Sequence, residues 1–215
     1  MSHPPIHDLP ANLGTALATL FEPSPTLYSL LLPVVRSSLD ADSITSYSEL
    51  VDRCAEIAKG WTYDQKAAFV AGHPMIGEVS NLSALSHKEQ ASVATRPVVL
   101  KRYVTTLTVL TWLTLFFRLA HLNEVYCAAF PGLRYITFVN GRPRSAIVNE
   151  MERSIGVPVS PDPLPEDYPV TEPALSEASG LVRPRDSEAW KTECDRAIGD
   201  VWLIAKARIW GMGLE

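Results

Sequence analysis

Cysteine is scarce: Cys54, Cys127 and Cys194 are the only three in 215 residues. They are odd in number and widely spaced, with no Cys-x-x-Cys pair, which excludes a disulfide framework and a zinc knuckle and points to a reducing compartment. Excess basic charge is also missing. The formal net charge is -5, whereas neutralising nucleic-acid phosphates takes clustered Lys and Arg, so no nucleic-acid partner is expected. The N-terminal MSHPPIHDLP has no apolar stretch of the secretory kind, and the C-terminal Met212-Gly213-Leu214-Glu215 is not a Ser-Lys-Leu type of peroxisomal address. A cytoplasmic location is expected, with a peroxisomal one reachable by another route. No membrane partner is expected either, because the uncharged run Tyr103 to Phe117 falls short of the roughly 20 apolar residues of a bilayer span. There is no repeat, glycine-rich phosphate loop, His-Glu-x-x-His zinc motif or Gly-x-Ser-x-Gly elbow, so the commonest nucleotide, zinc-protease and hydrolase readings drop out.

What is present is enough apolar residue for one real core, 47% against 20% charged, and the pattern is helical almost throughout. Leu13, Leu17, Leu20 and Phe21 fall at helical spacing before Glu22-Pro23 ends the run, and Leu27, Leu30, Leu31 and Val34 form a second short helix. Ser46-x-x-Glu49 and Thr62-x-x-Gln65 are capping-box signatures opening a third and a fourth helix. The fourth runs to about Val70 and stops at Ala71-Gly72-His73-Pro74, because proline pushes the residue before it out of the α region. Ser86-x-x-Glu89 opens another. Leu119, Leu122, Val125 and Tyr126 keep helical period to about Phe130, where an extended segment of about 133–140 begins and ends in the turn dipeptide Asn140-Gly141. Helix resumes near Ser145. Seven prolines (158, 161, 163, 165, 169, 173 and 184) make 157–185 a surface excursion, expected to be poorly ordered. From Asp186 or Ser187 a final helix carries Trp190, Cys194, Ala197, Ile198, Val201, Ala205 and Ile209 on one stripe. The expected fold is an all-α, single-domain helical bundle over residues 1–215, with 1–10 as a tail.

Two clusters are candidates for chemistry. His3 and His7 lie in the tail, His121 inside a helix, and His87 just after a cap residue, where solvated or hydrogen-bonded roles are usual. His73 differs: Gly72 removes bulk beside it, Pro74 fixes the exit of the chain, and a histidine at a helix end can be aimed at a ligand. The bland alternative is a satisfied core histidine. In the second cluster, Ser86-x-x-Glu89 is what a capping box requires, while Glu89 and Gln90 in a first helical turn could instead hydrogen-bond a polar ligand.

The ordered set of these pieces resembles a known family. Gly72-His73-Pro74, then Ser86-x-x-Glu89-Gln90-Ala91, then Leu122-Asn123-x-x-Tyr126, then Phe130 leading into Tyr135-Ile136-x-Phe138-Val139-x-Gly141-Arg142 is similar to the 2-oxo-4-hydroxy-4-carboxy-5-ureidoimidazoline (OHCU) decarboxylases. The likeness runs from about Leu13 to Ile209, and Glu22-Pro23 fits it. It implies an all-helical, often dimeric, cofactor-independent enzyme of urate breakdown that forms (S)-allantoin. It implies His73 as catalytic acid/base and Pro74, Ser86, Glu89, Gln90, Asn140 and Arg142 as substrate-binding residues. Such chemistry needs no pyridoxal, thiamine or metal, since the carbon losing CO2 adjoins a C=N bond that can take the electron pair. On the same resemblance, Glu89 and Gln90 hold the ureido and ring NH groups and Arg142 the carboxylate. The alternatives are a related helical enzyme acting on another carboxylated heterocycle, and a non-catalytic helical binder or scaffold.

The sequence departs from the family in three places. The loop between His73 and Ser86 is shorter. The family's substrate-binding arginine aligns with Asn140, with Arg142 and Arg144 just beyond. Tyr103 to Phe117, five of whose residues are threonine, has no counterpart, and its strand propensity conflicts with helical flanks at Val98 to Arg102 and Leu119 to Tyr126. Deleting it joins those flanks as one helix, which is the pattern of an in-frame retained intron. Sequencing mature transcripts is expected to find species lacking these codons; their persistence in every transcript would make the segment a true insertion.

Overall fold

A computed structural model describes residues 6–39, 44–78, 85–86 and 106–214. Among the described residues the regular structure is helical and there is no strand, so the fold is all-α. Seven α-helices with described bounds follow in order among the described residues: α1 (Leu9–Phe21), α2 (Leu32–Ser38), α3 (Tyr47–Lys59), α4 (Tyr63–Val70), α5 (Thr106–Ala129), α6 (Arg144–Ile155) and α7 (Glu188–Met212). Short 3-10 turns occupy Ile6–Asp8 and Glu177–Leu181, and a π turn, Leu27–Leu31, leads into α2. No described helix is long and apolar enough to cross a membrane.

The helix boundaries follow local chemistry. Thr62 and Gln65 form the reciprocal capping box at α4: the Gln65 amide donates to Thr62 Oγ1 (3.3 Å) and the Thr62 amide to Gln65 Oε1 (2.8 Å). At α3 only half of that motif forms on Ser46, whose hydroxyl accepts from the Glu49 amide (3.2 Å), while the Glu49 carboxylate reaches one residue further to Thr45. Gly156 ends α6 in the left-handed conformation (φ 88°), where a side chain would be strained. Asn140 and Gly141 both have positive φ (45° and 71°), closing the turn with a bond from the Arg142 amide to the Val139 carbonyl (2.9 Å).

Contacts along the chain define two compact units, Met1–His73 with Cys194–Glu215, and Pro74–Glu193. In the first, Leu13, Leu17, Leu20 and Phe21 of α1 are buried together with Leu50, Val51 and Cys54 of α3 and Val201, Ala205 and Ile209 of α7. Each such leucine is worth about 1.5–3 kcal/mol of transfer free energy. Rings fill the middle: Phe69 stacks on Trp202 (5.8 Å between centroids) and meets Phe21 (5.9 Å) and Trp61 (5.2 Å).

In the second unit α5 packs on α6, burying Leu119, Leu122, Val125 and Tyr126 against Ile147, Val148, Met151 and Ile155. The extended segment that starts at Leu133 buries Tyr135 beside Tyr126 (5.2 Å, edge to face). Strand propensity loses to helix in the uncharged run: 106–117 is helical and continuous with 118–129. A helix satisfies its own backbone, whereas strand preference is a fit to a pleated neighbour. The flank Val98 to Arg102 lies outside the described residues.

The proline-rich excursion departs from expectation, for it is pinned rather than loose. Arg118 of α5, 2% exposed, donates from Nε (2.9 Å) and Nη2 (2.7 Å) to Glu152 of α6, and from Nη1 to the carbonyls of Val170 and Glu172. Glu152 in turn accepts from the Ser160 amide (2.6 Å) and hydroxyl, and His121 Nε2 donates to the Pro173 carbonyl (2.9 Å). Arg183 closes the excursion: its amide donates to Ala129 (2.7 Å) at the end of α5 and its Nη2 to Ile155 (2.9 Å) at the end of α6. Proline composition left no ladder to form, and the polar anchors come from distant helices instead.

Removing one member of a buried ion pair strands the other. Glu152→Gln is therefore expected to lower unfolding stability by about 3–5 kcal/mol in urea denaturation. Amide exchange in residues 157–175 should accelerate in the same variant. The doubly apolar Arg118→Met/Glu152→Met chain should lose less than either single change.

Candidate active site

His73 closes the first unit, immediately after α4. The turn that carries it is tight: the Gly72 amide donates to Phe69 (3.1 Å) and the His73 amide to Val70 (3.0 Å). Glycine at 72 has a steric cause, because a Cβ there would lie 2.7 Å from Ser24 Cβ. Ser24 belongs to a turn that is itself fixed: its hydroxyl accepts from the Leu27 amide (3.1 Å), and Thr26 Oγ1 donates to Ala68 of α4 (3.3 Å).

The imidazole is buried, 3% exposed, with its edge against Phe69 (5.5 Å between centroids). Its Nδ1 donates to the Phe69 carbonyl (3.2 Å). A carbonyl can only accept, so the proton of the neutral ring sits on Nδ1 and the lone pair on Nε2. Burial is the main reason that the ring's pKa is pushed down to about 4, with the Arg208 guanidinium acting in the same direction. The Phe69 bond, the Glu22 carboxylate and the Val70 carbonyl work the other way, less strongly. The ring is thus an uncharged base at neutral pH.

Both of those charged neighbours are buried. Arg208 Nη2 donates to Glu22 Oε1 (2.6 Å), and Nη1 donates to the carbonyls of Thr19 (3.2 Å) and Leu20 (3.1 Å) in the last turn of α1. Those carbonyls have no further helical turn to bond, so the cation doubles as a cap. Glu22 has φ 65°, ψ 141°, a backbone conformation costing a non-glycine residue about 1–3 kcal/mol that persists only where its surroundings fix it. Sequence reasoning missed this pair as part of the site. Its trace was there, since Arg208 interrupts an apolar stripe between Ala205 and Ile209, and a charge on a buried stripe demands a partner.

The other expected residues lie in the second unit or outside the described residues. Pro74 begins the second unit, and the loop after it is held to α5 by Asn123, whose Nδ2 donates to the Ile76 carbonyl (3.0 Å). Gly77 in that loop has φ 84° and approaches Leu119, so a Cβ there would sit 3.1 Å from Leu119 Cδ2. Ser86 is buried, 2% exposed, and both it and Leu85 are helical, so Ser86 sits within helical backbone where the capping-box reading placed it ahead of a helix. Glu89 and Gln90 lie outside the described residues. Asn140 and Arg142 share the turn at the end of the extended segment. Arg142 donates to the Glu150 carboxylate, Thr137 Oγ1 (2.8 Å) and the carbonyls of Phe138 (2.6 Å) and Val139 (3.1 Å). Glu150 is held below the usual carboxylate range: burial raises it, but the hydroxyls of Tyr135 and Thr137 and the Arg142 charge together outweigh burial. Arg144, beside Gly77 at the start of α6, has its pKa lowered by burial.

These features describe an all-helical chain whose turn after α4 presents a neutral histidine held by main chain. The family model for OHCU decarboxylase matches residues 10–162, well over half of the chain, and the chain belongs to that family, a family of decarboxylases. The matched span includes His73, Ser86, Glu89, Gln90, Asn140 and Arg142; Arg208 lies beyond it. Comparison with curated proteins and with solved structures gives no match.

A histidine whose folded pKa lies below its unfolded value contributes stability above about pH 6.5 and loses it as pH falls towards 4, because over that window only the unfolded chain binds the proton. The loss attributable to His73 should be about 3 kcal/mol across that range. Chemical denaturation at pH 7 and pH 4 checks it: His73→Asn should show a smaller difference between the two pH values than wild type.

Proposed function

We propose that the chain catalyses cofactor-independent decarboxylation of OHCU to (S)-allantoin, with His73 as the acid/base. Membership of the family supports the reaction class. The observation that carries the role of His73 is its state: a neutral ring, Nδ1 engaged by Phe69 and Nε2 holding the lone pair, can accept a proton at neutral pH.

The chemistry asks for little more than proton movement. When the bond to the carboxylate breaks, its electron pair forms a carbon–carbon double bond and the adjacent C=N bond passes its pair to nitrogen, which takes up a proton. The enol so formed becomes allantoin when its hydroxyl gives up a proton and the neighbouring carbon gains one on a single face. His73 Nε2 accepts the hydroxyl proton and can return it to carbon, a role typically worth about 10² to 10⁴ in rate. We assign Pro74, Ser86, Glu89, Gln90, Asn140 and Arg142 to substrate, with Glu89 and Gln90 holding ureido and ring NH groups. Arg142 is assigned to the carboxylate; its guanidinium is oriented in advance by Glu150 and Thr137, which reduces the cost of binding an anion in one geometry.

Circular dichroism of OHCU freshly made from urate tests the proposal. Protein should accelerate the appearance of (S)-allantoin, and His73→Ala should reduce kcat by about 10² or more. Equal rates with and without the wild-type protein overturn the reading. Glu89→Gln should lose activity with unchanged melting, because glutamine keeps the size of the side chain but cannot present a carboxylate.

A further inference from the structure

We propose that Glu22 and Arg208 are a positioning pair for His73: their ion pair fixes the turn that seats the end of α4 and sets the electrostatic field at the ring. The inference rests on the proposed role of His73 as acid/base and adds two residues that do not touch the reacting atoms.

The geometry supplies a continuous path. Arg208 holds both the last carbonyls of α1 and the Glu22 carboxylate. Glu22 sits at positive φ, and strain of that kind in a buried, ion-paired residue marks a position that the surroundings over-determine. Two residues on, Ser24 lies against Gly72, the residue before His73, so closely that no side chain fits between them. Thr26 then ties the same turn to Ala68. Phe21, the last residue of α1, packs on Phe69, whose carbonyl receives the His73 Nδ1 proton. Moving Arg208 or Glu22 therefore moves the wall on which the ring's own anchor rests. Among the described residues the pair also supplies charges that act on the ring, Glu22 from the end of α1 and Arg208 from α7, and the two act in opposite directions.

Opposed charges give the pair a signature that a merely structural role lacks. General loosening of the region, as from any destabilising change, exposes the ring and returns its titration upward, towards that of free imidazole, whichever partner is changed; a small displacement of a ring that stays buried costs rate without that shift. A field effect instead separates the two variants. Removing the positive charge in Arg208→Met should raise the titration point of His73 by about one unit or more. Removing the negative charge in Glu22→Gln, which preserves size and an acceptor for Arg208, should leave it at or below the wild-type value.

The measurement is an NMR titration of the His73 ring in the full-length, ligand-free chain, joined to pH profiles of kcat/KM on OHCU. Glu22→Gln is expected to lower kcat at least tenfold with KM within twofold of wild type. Arg208→Lys, which keeps the charge but loses the fork, should keep the wild-type titration point with an intermediate kcat. It also serves where Arg208→Met does not fold. Upward titration shifts in both Glu22→Gln and Arg208→Met, or in both Glu22→Gln and Arg208→Lys, overturn the proposal, as does an unchanged kcat in Glu22→Gln. If wild type fails to turn over OHCU, the functional reading falls alone, since the titrations are read without substrate.

Discussion

Everything about the His73 region depends on a cation kept out of water. Arg208 is almost fully enclosed, and burying a guanidinium is tolerable only if its donors find acceptors. It finds them in three places that the fold must bring together: two carbonyls at the end of α1 and a carboxylate just beyond. Those demands fix where α1 ends, force Glu22 into a conformation it would not choose, and direct Pro23 and Ser24 toward the end of α4. The histidine inherits its surroundings from that sequence of constraints. Its neutrality follows from the low-dielectric wall of Phe69, Phe21 and Trp202 that the same constraint assembles around the end of α4.

The second unit repeats the device with different members. Arg118 is enclosed to the same degree, pairs with a fully buried Glu152, and directs its remaining donors to main-chain carbonyls of a segment lacking regular structure. In each unit a single arginine on an apolar helix stripe converts a local excess of carbonyl groups into a fixed loop. The pairs are poor investments for stability alone, since apolar replacements of matched shape commonly do as well. What they provide is uniqueness, because an apolar contact tolerates sliding whereas a guanidinium fork with three acceptors does not.

The same contrast explains what could be read from the amino-acid order. A helix start at Thr62, a helix stop at Gly72-His73-Pro74 and the turn at Asn140-Gly141 were legible because capping boxes, proline sterics and positive φ act over three or four residues. The position of His73 at a helix end was legible for that reason. Its uncharged state was not, for it depends first on burial by rings drawn from separate helices and then on the Arg208 charge, far from it along the chain. The anchoring of residues 157–185 was hidden likewise: proline content reports that a segment cannot form a ladder, not that Arg118 and Arg183 wait for its carbonyls. The run before Arg118 misled through propensity, a bias small enough for helical continuity to override. The π turn at Leu27–Leu31 has the same apolar spacing as an ordinary helix and differs only in hydrogen-bond register.

A base with so depressed a pKa is weak by the standards of solution chemistry, which bears on the proposed reaction in a particular way. The driving force for taking a proton from an alcohol is small, so such a ring should not initiate decarboxylation by full deprotonation. It is better matched to the step after CO2 has left, when the hydroxyl belongs to an enol and its proton is far more acidic. The imidazolium formed then is held in a dry, partly cationic environment, where it is a stronger acid than histidine in water and returns the proton readily to carbon. The burial that makes His73 a modest base therefore makes its conjugate acid effective, and one residue can serve both halves of the proton transfer without a separate acid.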